Sequence, residues 1–358
     1  MYLFFLSPFF IACINQDIDK SNTVVDSANP SQTDQPEESE SNTNDNPVDE
    51  PEEGFSVYVD PMCLDGQYTE DLPNPNADIT SEINSYNSSN YTDFILNTLG
   101  IRYPVGKFLV QNGLQSEGIF SENCIDFFLY DSSSPQSVIS EMSTIVHECG
   151  HFFNLNMSGW GENVYFITDT QSFTCTDGSI PSNGGGVTFS RSLIKNDDYY
   201  SSYPSCEDTG GSNCDFYAST YLGGDPNDGN FDSGDQGFGM LHEETVQYVN
   251  SLATAYAFQD NYQNYSVTER DGILTFLWYT QRYLKMAREQ YPETYEKLSQ
   301  DSCWRANILT TWGRAWFYLE ATRNNSNLGI NDDYIEELIN TPELLDEIEY
   351  LREIQGCP

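Results

Sequence analysis

Residues 143–155 read STIVHECGHFFNL, and they contain two of the three histidines in the chain. His147 and His151 stand four residues apart, with Glu148 directly after the first. On a helix that spacing puts both imidazoles on one face, one turn apart. Two such rings can hold one zinc ion, and Glu148 is then placed to take a proton from a water at the metal's open position as the hydroxide attacks a carbonyl. A catalytic zinc needs a third protein ligand. The remaining histidine lies far downstream in GMLHEETVQYV, residues 239–249, which offers His242, Glu243 and Glu244. If a helix already runs through this stretch, His242 falls near the middle of the apolar stripe Val246, Val249, Leu252 and Ala253, with the two glutamates towards its edges. Glu243 would sit in the first turn, where the backbone departs from ideal geometry. Geometry alone therefore leaves all three open.

Two elements must carry these residues. SSSPQSVISEMSTIVHECGHFFNL opens on serines and a proline, the usual start of a helix. Its apolar residues Ile139, Met142, Val146, Cys149 and Phe153 recur at three- and four-residue steps, which predicts one buried face. Upstream, DITSEINSYNSSNYTDFILNTLG predicts a helix or helix pair closed by Gly100. KFLVQNG (107–113) and CIDFFLYD (124–131) are short apolar runs bounded by turn residues and are expected as strands. From Met240 onward the pattern is helical in four long stretches. Residues 157–239 are rich in Gly, Ser, Asp, Asn and Tyr, an irregular insert of a length that is functional or pinned.

HExxH is the signature of zinc metalloproteases. With a downstream helix running HEETVQYV, the pair resembles the gluzincins, the thermolysin- and aminopeptidase-like clan whose third ligand is a glutamate on a second helix. The stretch is similar to that clan's NEGFAxYV type of sequence. The resemblance puts Glu243 on the ligand position and Tyr248 on the aromatic five residues later, and it departs at Glu244, where the family commonly has glycine. The metzincin pattern is absent, because Asn154 and Met157 stand where its glycine and third histidine belong. A tyrosine in the helical lobe often stabilises the oxyanion in this clan; Tyr256, Tyr279 and Tyr283 are candidates here.

The remainder of the chain bounds the setting. Asp and Glu number 56 against 14 Lys and Arg, a net charge of -42, which disfavours nucleic acid as a partner. The same field favours basic peptides electrostatically. MYLFFLSPFFIAC reads as a secretory signal, too short to span a bilayer. FIAC resembles the lipobox of bacterial lipoproteins, which makes Cys13 the lipidated residue. Residues 16–54 hold twelve acidic residues, one lysine and no aromatic, the composition of a disordered tether. Setting Cys13 aside, eight cysteines remain (63, 124, 149, 175, 206, 214, 303 and 357), an even number that favours disulfides in an exported chain. None forms CxxC, and Cys149 is expected in the core or in a disulfide. Asp228, Asn230 and Asp232 in GGDPNDGNFDSGDQG supply alternating hard oxygens for Ca2+ within 225–235, although Ser233 occupies the sharp-turn glycine's place.

The expectation is thus an α+β, two-lobed zincin-like protein: a signal peptide over 1–12, a linker over 13–54, a lobe over 55–239 with a mixed sheet and the HExxH helix, and a helical lobe over 240–358. Zn2+ would be held by His147, His151 and Glu243, with Glu148 as general base acting on peptide bonds. An exported monomer is expected, touching a membrane only through Cys13. The alternative is a non-catalytic zinc- or calcium-binding surface protein, an adhesin or scaffold.

Overall fold

A computed structural model describes residues 58–116, 123–159, 161–176, 191–211, 213–223 and 237–358. The signal, the Cys13 anchor, the acidic tether and the 225–235 loop all lie outside these residues.

The described chain is predominantly helical. The upstream helix pair is present as α1 (Thr80–Ser85) and α2 (Tyr91–Arg102), the latter running past Gly100. Both expected strands are instead helices. KFLVQNG lies in α3 (Pro104–Gly113), which opens on Pro104 and buries Gly106, Leu109, Val110 and Gly113. Those positions recur at helical rather than alternating steps, and a proline at the first turn is favoured because its missing N–H is not needed there. CIDFF forms α4 (Cys124–Phe128), one turn capped by the Asn123 side chain, which accepts from the Ile125 and Asp126 amides. The disulfide Cys124–Cys149 ties this turn to the HExxH helix.

That helix comes in two pieces. The Ser134 hydroxyl caps α5 (Pro135–Ser140). The chain then breaks at Glu141, whose carboxylate accepts from the Tyr130 and Asp131 amides, and resumes as α6 (Met142–Met157). The mixed sheet expected before it is not found: among the described residues the only sheet is an antiparallel hairpin, β1 (Glu162–Phe166) with β2 (Ser172–Thr176), and it follows α6. The runs that could have supplied further strands pack as α3 and α4.

Two short helices, α7 (Cys206–Thr209) and α8 (Ala218–Tyr221), precede the long α9 (Phe238–Ala257). The C-terminal region is all helical, as its periodicity predicts: α10 (Glu269–Gln290), α11 (Pro292–Gln300), α12 (Ser302–Ala321), α13 (Asp332–Ile339) and α14 (Pro342–Gln355). α6 packs against α3 and α9, and α10 packs against α9, with its first turn reaching α6 through Ser143 and Glu269. Buried apolar residues from before and after position 240 form one continuous core.

All eight cysteines are paired: Cys63–Cys357, Cys124–Cys149, Cys175–Cys303 and Cys206–Cys214. Two of these pairs hold the insert, one closing a small loop and one joining β2 to α12. The Cys124–Cys149 bond anchors the mid-point of α6 from behind. Replacing both cysteines by serine should lower the unfolding free energy by about 2–5 kcal/mol, read from denaturant melts; an unchanged midpoint would show that packing alone holds α4 in place.

Candidate metal centre

Buried groups on α6 and α9 meet face to face. His147 Nε2 and His151 Nε2 lie 3.0 Å apart. Glu244 Oε2 is 3.4 Å from each of them. All three residues are buried, and they are the one group of three or more metal-type ligands found among the described residues. Four ligands held tetrahedrally at the 2.0–2.1 Å of a zinc–nitrogen bond stand about 3.3 Å from one another. The edges of this triangle match that spacing, so the side chains fit a first-row divalent ion without rearrangement.

The ligand atoms are oriented from behind. Ser251 donates its hydroxyl to the Gln247 carbonyl at 3.2 Å and lies 2.9 Å from His147 Nδ1. His147 therefore donates from Nδ1, which leaves the Nε2 lone pair facing inward. His151 Nδ1 donates to Glu243 Oε1 at 3.0 Å, the carboxylate–histidine pairing that fixes tautomer and raises ligand basicity. Glu243 also accepts from Asn154 Nδ2 and from Gln247 Nε2, each at 3.0 Å. Asn250 donates to Gln247 Oε1, and the buried Arg314 donates to Asn250 Oδ1. Every donor in this line points towards Glu243.

The structure thus places Glu244, not Glu243, with the two histidines. The difference is one of helical phase. α9 begins at Phe238, earlier than the sequence pattern suggests, so both glutamates lie in regular helix. Two stripes then run side by side along α9. Glu244, Tyr248 and Ser251 face His147, whose ring meets the edge of Tyr248 with centroids 4.9 Å apart. Glu243, Gln247 and Asn250 face His151 and the turn beyond it. Gly150 lets these stripes close in, since a Cβ there would sit 2.0 Å from Gln247 Oε1.

His242 points away from the cluster, into the rings of Tyr165, Phe238 and Trp304. Burial pushes it down to about 4, so it is a neutral core side chain. Glu148 is buried on α6, 1% exposed. Of the tyrosines expected to serve an oxyanion, Tyr279 donates to Asp215 and Tyr283 packs on Phe238. Neither lines the cleft beside the cluster, and neither does Tyr256. Besides Tyr248, Tyr221 reaches the ligands: its hydroxyl lies 3.4 Å from Glu244 Oε2 and 3.3 Å from the Tyr248 hydroxyl. No motif marks Tyr221 in the sequence, because α8 is a single turn inside the insert.

An open cleft reaches His147, its walls including Tyr217, Tyr248, Ser251 and Glu269. Burial raises Glu269 to about 7, with Ser143 donating to Oε1 at 2.8 Å and opposing the rise.

No family model matches this chain, and neither a curated protein nor a solved structure is significantly similar to it.

The charges in the cluster are coupled. Burial drives His147 down to about 4. Burial also opposes charge on His151, but the carboxylates of Glu244 and Glu243 outweigh it and raise this ring well above the ordinary histidine value. The carboxylates thus favour a proton on His151, the ring whose Nε2 faces His147 Nε2. Zinc must displace that proton, so binding at pH 7 should release about one proton and tighten as pH rises; calorimetry in buffers of different ionisation enthalpy reads the number. Glu243→Gln should weaken zinc by about 10- to 100-fold, and Glu244→Gln by more; the reverse order would return the ligand role to Glu243.

Glu269 sets a second pH dependence. Its carboxyl binds a proton more tightly folded than unfolded. Its contribution to stability is therefore full below the ordinary glutamate value and is lost as pH rises through about 7. The melting temperature of the wild type relative to Glu269→Gln should fall between pH 5 and pH 8; a flat difference would place this acid in water.

Proposed function

We propose that the protein is an exported zinc-dependent peptidase of gluzincin type, with the α6–α9 pair as its metal-bearing helices. The observation that supports this reading is the buried His147–His151–Glu244 triangle, built around HExxH and standing beside an open cleft. A structural zinc site is usually closed by four protein ligands. Here three converge among the described residues, and one of them lines the cleft.

Bound zinc would supply a Lewis acid that polarises the scissile carbonyl and lowers the pKa of water. His147 and His151 present neutral Nε2 lone pairs, and Glu244 presents one carboxylate oxygen. Glu243 fixes the His151 ring through Nδ1, and Ser251 does the same for His147. Glu148 acts as general base towards the attacking water and then returns that proton to the leaving amine. The hydroxyls of Tyr221 and Tyr248, beside Glu244, would be phenolic donors for charge developing on the carbonyl oxygen. Four disulfides suit an oxidising compartment outside the cytoplasm.

Glu148→Gln separates this reading from a zinc-binding surface protein without turnover. The variant should keep one zinc per chain by elemental analysis while losing about 10²- to 10⁴-fold in peptide hydrolysis. Equal inactivity of wild type and variant across a broad peptide library would remove the catalytic assignment and leave a binding role.

A further inference from the structure

Glu269 differs from several other acids packed inside the described residues. Asp332, Asp197, Glu70 and Asp65 each pair with an arginine, respectively Arg270, Arg282, Arg314 and Arg352. Asp215 and Asp271 are satisfied by backbone amides, with a tyrosine hydroxyl added for Asp215. Glu269 has neither. Ser143 holds its Oε1, while Oε2 is buried with no hydrogen-bond partner, and no Lys or Arg lies within 4.0 Å of the carboxylate among the described residues. Leaving an acidic oxygen inside without a donor costs stability. Rotation of this side chain towards the cleft would give the carboxylate the donor it lacks.

The surroundings fit a particular donor. Glu269 lines the same cleft as His147, so a side chain entering there belongs to a residue close to the bond positioned over the metal centre. Tyr217 and Tyr248 wall the cleft with rings 5.4 Å apart at 87°. Gly272 makes room for both, since a Cβ there would lie 2.6 Å from Tyr248 and 3.0 Å from the Tyr217 hydroxyl. Aromatic walls take an aliphatic stem and favour a cation over a neutral tip. We propose that this cleft is the specificity pocket of the site and selects a lysine or arginine side chain of the substrate, with the Glu269 carboxylate as its acceptor. The inference rests on the peptidase reading for the word substrate, but not for the binding of the cation.

Two arms test it. The first uses zinc-loaded protein and peptides acetylated at the N-terminus, differing only in lysine, arginine, norleucine or glutamate at one position next to the cleaved bond. A charge-assisted hydrogen bond predicts at least about tenfold higher kcat/KM for lysine or arginine than for norleucine. The ratio should persist in 0.5 M NaCl, where the field of the acidic surface is screened. In Glu269→Gln it should collapse towards one, and Glu269→Asp, which keeps the charge, should retain part of it. A wild type that cuts without this preference overturns the pocket and leaves the peptidase standing, as does a preference that survives in Glu269→Gln. The second arm needs no turnover: calorimetric titration with N-acetyl-lysine methylamide and N-acetyl-norleucine methylamide. Tighter binding of the lysine compound by wild type, at least about tenfold weaker in Glu269→Gln, supports the pocket even if no peptide is cut. Equal affinities in the wild type overturn it.

Discussion

The crossing of α6 and α9 governs the site. Both helices bring polar and charged side chains into the interior, where each unpaired group is costly. They can do so because the chain lacks a Cβ at position 150, so Gln247 lies directly against the α6 backbone. From there Gln247 donates to Glu243, which accepts from His151. Each imidazole then has its outer nitrogen occupied and its inner nitrogen turned towards Glu244. Widening the crossing would loosen the carboxylate, free the rotation of His151 and spoil the triangle together.

The buried acids divide into two kinds by how they are satisfied. Glu243 is saturated with donors from three side chains, and the Asn250–Arg314 line extends that set across the core to Glu70. It is suited to holding a histidine still. Glu244 has a looser set: two imidazoles and one phenol, all at 3.4 Å. A group whose contacts are long and converge on one oxygen is suited to a metal. Adjacent residues in one helix, identical in chemistry, thus take different roles because the facing surface of α6 differs by one stripe.

That stripe explains what the amino-acid pattern could and could not convey. The HExxH helix was legible, since its apolar period and its paired histidines agree, and the pairing of all the cysteines beyond Cys13 followed from their number. The choice between Glu243 and Glu244 was not. It depends on where α9 begins, and the turn that starts it at Phe238 carries no side-chain cap to announce the boundary. α3 and α4 depart from the strand expectation because a segment of seven or eight residues has too few turns to separate a period of two from one of 3.6. Tyr221 and Glu269 join the site only through tertiary packing, one from a single-turn helix and one from the first turn of α10. No local rule links either to residues 143–155.

The first described residues and the last are fastened together. Cys63 is bonded to Cys357, Arg352 donates to both the Tyr58 carbonyl and Asp65, and the Tyr58 ring is stacked on Trp316 at 3.7 Å. A force applied to the chain ahead of Tyr58 is therefore borne by a covalent link to the C-terminal helix within a few residues of its entry. A pull between the leading segment and the C-terminus therefore passes through this link and bypasses α6 and α9.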